Sequence, residues 1–218
     1  MDRPASGRGR GVAAWRIASR RAGGCAVKRL SAIAILLLGF VLLAGMRWTM
    51  PRYERITGPI AVSGAPDGWV QTDNLAVDAG TPQLARTIRF KAAGAVQQRD
   101  SGGVWLVVPV RSKVARATTR VYGRVWATPD GRRYRASGRA EMGDAVLSSI
   151  KTLQPGLERK DVLVFELPTA LARAGGTLLL SEERDPQLTA EAQVRYPPLP
   201  PATAVTDVLD LDALHARL

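Results

Sequence analysis

Val104-Trp-Leu-Val-Val-Pro-Val110 is the stretch on which the fold reading turns. Every residue in it is apolar, so an extended segment here has no face to give to water. Such a strand belongs in the middle of a two-layer structure, covered on both sides. Pro109 donates no ladder hydrogen bond, which predicts a bulge or bend near the strand end.

Working outward, Thr119-Arg-Val-Tyr-Gly-Arg-Val-Trp-Ala127 alternates. Val121, Val125 and Ala127 share one face with Gly123, and Tyr122, Arg124 and Trp126 share the other. Pro129-Asp130-Gly131 supplies a turn in which Gly131 permits a positive φ, and Arg133–Ser137 returns as the hairpin partner. Asp161-Val-Leu-Val-Phe-Glu-Leu-Pro168 reads as a strand stopped by its own proline, with Leu163, Phe165 and Leu167 inward. Thr177–Ser181 and Leu188–Arg195 follow, the latter with Leu188, Ala190, Ala192 and Val194 inward. Pro59–Val62, Leu75–Val77 and Thr87–Phe90 are earlier strand candidates, and Gly143–Lys151 and Thr169–Ala174 are the plausible short helices. About eight short strands joined by Gly, Pro and Asp turns predict an all-β sandwich.

Four motifs stand in a fixed order: Gly102-Gly-Val-Trp-Leu-Val-Val108, Asp130-Gly131-Arg132 with Tyr134, Gln154-Pro-Gly-Leu157, and Leu163-Val-Phe-Glu-Leu-Pro168. This order resembles the telokin-like, immunoglobulin-like sandwich domains of bacterial envelope and secreted antigens, over roughly residues 55–197. The resemblance implies an extracytoplasmic immunoglobulin-like β-sandwich and supplies no established catalytic residues. Those domains are commonly secreted or lipid-anchored, and this chain departs from them in its attachment.

That attachment is Leu30-Ser-Ala-Ile-Ala-Ile-Leu-Leu-Leu-Gly-Phe-Val-Leu-Leu-Ala-Gly-Met46, seventeen residues without a charge. As a helix it rises about 26 Å, and Trp48 and Met50 extend it past a snorkelling Arg47. A single transmembrane helix over 30–50 is therefore expected, with Leu30, Ile33, Leu37, Phe40, Leu43 and Trp48 as anchoring side chains. Residues 1–29 carry eight basic side chains against Asp2, so this tail stays in the cytoplasm and the sandwich lies outside. Cleavage by a signal peptidase is disfavoured, because Leu43 or Leu42 would stand at the −3 position. No Cys follows Leu43-Ala-Gly45, which excludes a lipoprotein. The expected organisation is a basic cytoplasmic tail (1–29), a signal anchor (30–50), a sandwich (53–197) and a Pro-rich linker with a short amphipathic segment (198–218).

The chain has 218 residues, with 31 Lys plus Arg against 19 Asp plus Glu, one His and one Cys. A single Cys excludes a disulfide framework and a thiolate zinc site, and a single His excludes a His-pair site. Gly7-Arg-Gly-Arg-Gly11 reads as part of the positive-inside tail rather than as an RNA-binding element. Ser148-Ser-Ile-Lys151 has the Ser-x-x-Lys spacing of penicillin-binding enzymes, but neither companion motif follows it. His215 lies near the C-terminus, away from any triad rooted in the core. Glu182, Glu183 and Asp185 form a charged turn without a calcium-loop pattern. No catalytic, cofactor-binding or metal-binding residue is assigned, and no nucleic-acid partner is expected.

Arg111, Lys113, Arg120, Arg124, Arg133 and Arg135 concentrate positive charge in the middle hairpin region, as a candidate basic face near Tyr122 and Trp126. Tyr196-Pro-Pro-Leu-Pro-Pro201 is a stiff linker, and Val205–Leu218 forms a short amphipathic helix at best. The expected function is a non-catalytic, membrane-anchored protein-binding or accessory module of a bacterial envelope or transport complex, with the bilayer and an envelope protein as partners. The alternative is a binder of anionic wall polymer or lipid headgroups through the basic face.

Overall fold

The computed structural model describes residues 23–49 and 57–218. The Arg-rich part of the tail, Met50 and Tyr53 lie outside the described residues. The chain divides into two units at Ile56/Thr57.

The first unit contains helix α1 (Gly23–Thr49), which takes in all of Leu30–Met46 and starts seven residues before it. Among the described residues nothing covers Ile33, Leu37, Leu43 and Phe40 (73% exposed), which project from it, or Trp48 (94% exposed). These five share one face of the helix, but Ile35, Leu38, Val41 and Leu42 are exposed on the rest of its circumference, so the apolar character is not confined to one stripe. Among the described residues no helix is long and apolar enough to cross a membrane. The side chains described on α1 run from 32 to 48, a rise of about 26 Å against a hydrocarbon core of about 30 Å.

The second unit is a β-sandwich of eleven strands in two sheets. The strands are β1 (Ile60–Gly64), β2 (Trp69–Gln71), β3 (Leu75–Ala79), β4 (Gln83–Ala92), β5 (Ala95–Val114), β6 (Gly123–Ala127) and β7 (Arg133–Arg135), followed by β8 (Arg159–Leu167), β9 (Gly176–Ser181), β10 (Ala190–Tyr196) and β11 (Val205–Asp210). One sheet has the order β1-β10-β9-β6-β7. The other has the order β11-β4-β5-β3-β2, with β8 on the opposite flank of β5. Two short helices, α2 (Thr169–Arg173) and α3 (Leu211–His215), complete the unit.

The all-apolar stretch lies in β5, at the centre of the six-stranded sheet. Val104, Leu106, Val108 and Val110 enter the core shared by the two sheets. Trp105 and Val107 point the other way, into a second core with Ile88, Phe90, Ala145 and Val146, closed by Leu211 and Leu214 of α3. This sheet is thus covered on both faces, which is why its middle strand spares no polar position. Pro109 neither ends nor bulges the strand, which continues to Val114. Its carbonyl accepts from the Gly80 N–H (2.9 Å), so its missing donor faces the gap where β5 exchanges β4 for β3 as a neighbour. No ladder bond is lost there.

Four other expectations are corrected. Trp126 is not on an outer face: it lies in the main core, with its ring 6.1 Å from Phe165 and 5.3 Å from Tyr196. The alternation inverts because the ladder of β6 begins only at Gly123, leaving Val121 buried in the preceding segment. Gly143–Lys151 is a run of turns, since its backbone is committed to β8 through Leu147 N–H to Val162 O and Val162 N–H to Ala145 O. Leu188 is exposed with φ +54°, and the inward alternation starts only with Ala192 and Val194. Val205–Leu218 is not one amphipathic helix. Its first six residues pair in parallel with β4, and only Leu211–His215 is helical, capped by the Asp210 carboxylate, which accepts from the Asp212 and Ala213 N–H groups (3.0 Å each). A fourteen-residue helix is marginal alone, whereas β4 offers an open ladder and the second core takes Leu211 and Leu214.

Candidate functional site

The six cations of the candidate basic face belong to both sheets. Arg111 and Lys113 lie on β5, Arg133 and Arg135 on β7 at the far edge of the other sheet, Arg124 on β6, and Arg120 in the segment before it. Arg111 is bonded through both Nε and Nη2 to the buried Asp78, and that pairing pushes its guanidinium pKa up. Arg111 and Lys113 also lie over the Trp69 ring, at 5.5 and 4.1 Å from its centroid. Arg124 donates to the Leu147 carbonyl (2.7 Å) and Glu141 (2.9 Å), and Arg135 to Asp185 (2.7 Å). Arg120 donates to the Thr152 hydroxyl (3.2 Å). Much of this charge is therefore spent within the fold. Residues 57–218 carry 20 Lys and Arg against 17 Asp and Glu, so most of the chain's net charge of +12 precedes the sandwich.

Glu141 is the anchor of the 138–150 turns. The Ser149 hydroxyl, the Ser149 N–H and the Arg124 guanidinium all donate to it and hold its carboxyl down to about 2. Lys151 gives its ammonium to the Asp144 carbonyl (2.6 Å) and to the fully buried Asp161 carboxylate (2.7 Å), where Arg159 joins at 3.2 Å. Its backbone N–H donates to the Ser148 carbonyl (3.2 Å), but its ammonium makes no bond to the Ser148 hydroxyl, which is buried without a partner. An ammonium so engaged is not placed to deprotonate that hydroxyl.

The acidic turn is likewise occupied. Glu182 accepts from the Asn74 amide (2.5 Å), Glu183 from the Thr189 hydroxyl (3.3 Å), and Asp185 pairs with Arg135. His215 Nε2 lies 2.8 Å from the Lys160 carbonyl, at the end of α3. Among the described residues no group of His, Cys, Asp and Glu is arranged to hold a metal ion.

One concavity is not legible in the sequence. It is an open cleft of about 670 Å³ between the edge strand β1 and the β2–β3 turn. Ile60, Val62 and Leu188 form its apolar side, and Asp73, Arg116 and Glu183 its polar side. Asn74 shapes it: its side-chain oxygen accepts from the Arg116 and Ala117 N–H groups (3.0 Å each), and its amide reaches the Ala117 carbonyl and Glu182. In sequence, Gln71-Thr-Asp-Asn74 signals only a turn; the strands that face it are far away along the chain.

No known family description matches the chain, and no curated protein does. Solved structures similar to it include the secreted protein MPT63 of Mycobacterium tuberculosis, which is 15% identical over 63% of this chain and 97% of that one, with a TM-score of 0.44. An uncharacterized β-sandwich protein of Clostridium difficile 630 is 11% identical over 67% of this chain and 99% of its own, at 0.43. A conserved hypothetical protein of Bacillus anthracis is 18% identical over 57% and 94%, at 0.41. At these identities and scores the likeness carries no argument about activity or partners.

Proposed function

We propose that the chain is a single-pass membrane protein with its tail in the cytoplasm and its sandwich outside. In this reading the sandwich is an immunoglobulin-like module of the telokin-like kind, and it serves without catalysis as a protein-binding or accessory subunit of an envelope or transport complex. The observation that carries the reading is α1, whose apolar side chains face outward all round with nothing in the described residues to cover them. Exposure of this extent is costly in water, at about 25 cal/mol per Å², and a bilayer removes the cost. The uncharged stretch Leu30–Met46 and the eight basic residues before it support this orientation. Tethering confines the module to the membrane plane and raises its effective concentration for partners there.

The binding of anionic polymer or headgroups is the weaker reading, because the cations that suggested it are divided between two sheets and largely paired. The test is purification from gently solubilised membranes through a C-terminal tag, comparing the full chain with residues 50–218. A stoichiometric membrane protein retained by the full chain supports the accessory reading. Recovery of neither chain with any partner, together with salt-sensitive retention of residues 50–218 on wall polymer, refutes it.

A further inference from the structure

A sandwich has open strand edges, and each exposes N–H and C=O groups that can pair with another chain unless something prevents it. Most edges of this sandwich are protected. The flank of β5 before Val104 is closed by side chains: Trp105 Nε1 donates to the Arg99 carbonyl (2.9 Å), Arg139 to the Asp100 carbonyl (2.8 Å), and the Gly102 N–H donates to Glu166 (3.1 Å). The flank of β8 is covered by Ser137 and Leu147, whose N–H groups bond Val164 and Val162. Strand β7 is three residues long with two arginines, β2 is equally short, and β11 carries Asp207 and Asp210.

Strand β1, Ile60-Ala-Val-Ser-Gly64, has none of these devices. Among the described residues it is an edge strand paired only with β10, and it carries no charge. Because the Ile60 N–H bonds toward β10 at Thr189 (2.9 Å), the N–H groups of Ala61 and Ser63 point to the open flank. Among the described residues no side chain caps them. The cleft opens beside this flank. A strand added to β1 would direct the side chains beside Ile60 and Val62 inward, into the cleft and toward Asp73.

Resting on the protein-binding reading above, we infer that β1 is a strand-addition site for an extended segment of a partner protein in which apolar residues alternate with lysine or arginine. The apolar requirement comes from Ile60 (59% exposed) and Leu188 (63% exposed), which rim the cleft. The cationic requirement comes from Asp73, Glu182 and Glu183 against a single Arg116, a locally acidic lining in a chain of net charge +12. A second copy's β1 carries no cation and so does not complement it. Main-chain pairing gives the affinity, and the cleft gives the selection.

The test uses the full chain in detergent micelles and capped hexapeptides alternating valine with lysine or with glutamate. The lysine peptide is expected to bind at least tenfold more tightly, Ala61→Pro to weaken it at least tenfold, and Asp73→Lys on the exposed turn to reverse the preference. Equal binding of both peptides, or binding indifferent to both substitutions, overturns the inference. A photo-crosslinking residue is then placed at position 63 or at the exposed Tyr122 in native membranes. An adduct at 63 mapping to an apolar and basic extended segment supports the site. An adduct at 122 alone leaves the partner reading standing and removes this one. An adduct at 63 with a second copy overturns the stated chemistry, and no adduct at either position counts against both.

Discussion

Replacing Glu141 by glutamine should change how the sandwich responds to acid. Glu141 accepts from the Ser149 hydroxyl (2.6 Å) and N–H (3.1 Å) and pairs with Arg124 (2.9 Å), which is 11% exposed. These donors move its carboxyl from 4.5 to about 2. A depressed folded pKa means that the unfolded chain takes up the proton first. The stabilisation is therefore complete above pH 4.5 and is lost as the pH falls toward 2. At about 1.4 kcal/mol per unit, the unscreened value is about 3 kcal/mol. The carboxylate keeps 30% exposure, so solvent screening leaves about 1–2 kcal/mol.

Urea unfolding of residues 57–218, followed by tryptophan fluorescence between pH 7 and pH 2.5, measures this directly. Trp126 and Trp105 are buried and report on the two cores. At pH 7 Glu141→Gln should be less stable than the parent by about 1–2 kcal/mol, since an amide does not neutralise Arg124. The gap should close as the pH falls through 4.5 to 2.5. Other depressed carboxylates, such as Asp210, held down by the Ala213 N–H despite partial burial and with Arg89 in support, are common to both proteins and cancel in the difference. A gap that stays constant with pH would refute the assignment of charge to this contact and leave only a packing effect.

Three further outcomes follow from the packing and the anchor. Leu211→Ala should cost about 2–5 kcal/mol, because Leu211 is fully buried against Ile88, Phe90 and Trp105; a frayed C-terminal segment would give under about 0.5 kcal/mol in the same urea assay. Gly123→Ala should destabilise by about 1–3 kcal/mol, as a Cβ there would run into the Ser181 hydroxyl and the Glu183 carbonyl, and Ser181→Ala should relieve only the first of these clashes. Leu37→Arg in the full chain should raise the cost of membrane insertion by about 3 kcal/mol or more and shift the protein into the carbonate-extractable fraction; unchanged extraction would count against the anchor.

The strands that were legible in the sequence are those whose neighbours are close along the chain or whose composition has one reading. The β6–β7 hairpin follows from Asp130-Gly131, where φ is +84° at Gly131, and β8 follows from its apolar run and Pro168. Strand β11 was hidden because its ladder partner, β4, lies more than a hundred residues away, and a segment of valine, leucine and aspartate satisfies either period once that partner is unknown. Trp126 falls on the wrong face when the alternation runs from Thr119, ahead of the true ladder, because a strand's register fixes its faces. The cleft was illegible for a similar reason. Its walls come from segments near residues 60, 73, 116 and 188, none of which carries a local motif.

The arginines show why the count of a residue type is a poor guide to a binding face. Arg111, Arg124 and Arg135 looked alike in sequence, yet each is neutralised by an acid that the fold brings from elsewhere: Asp78 from β3, Glu141 from the turns before β8, Asp185 from the turn after β9. What remains for partners is the residual charge after such pairing, and in the sandwich that residue is small. The cleft beside β1 is the opposite case. Asp73 is unremarked among nineteen acidic residues, and Glu182 and Glu183 read in sequence only as a charged turn, but the three line one concavity next to an edge with open main-chain donors. In the sandwich, the features that suit a partner are therefore a local acidic pocket and an unguarded strand, and not the basic charge that dominates the composition. If Asp73→Lys left the lysine peptide bound as before while Ala61→Pro abolished its binding, main-chain pairing along β1 would stand and selection by the acidic lining would fall.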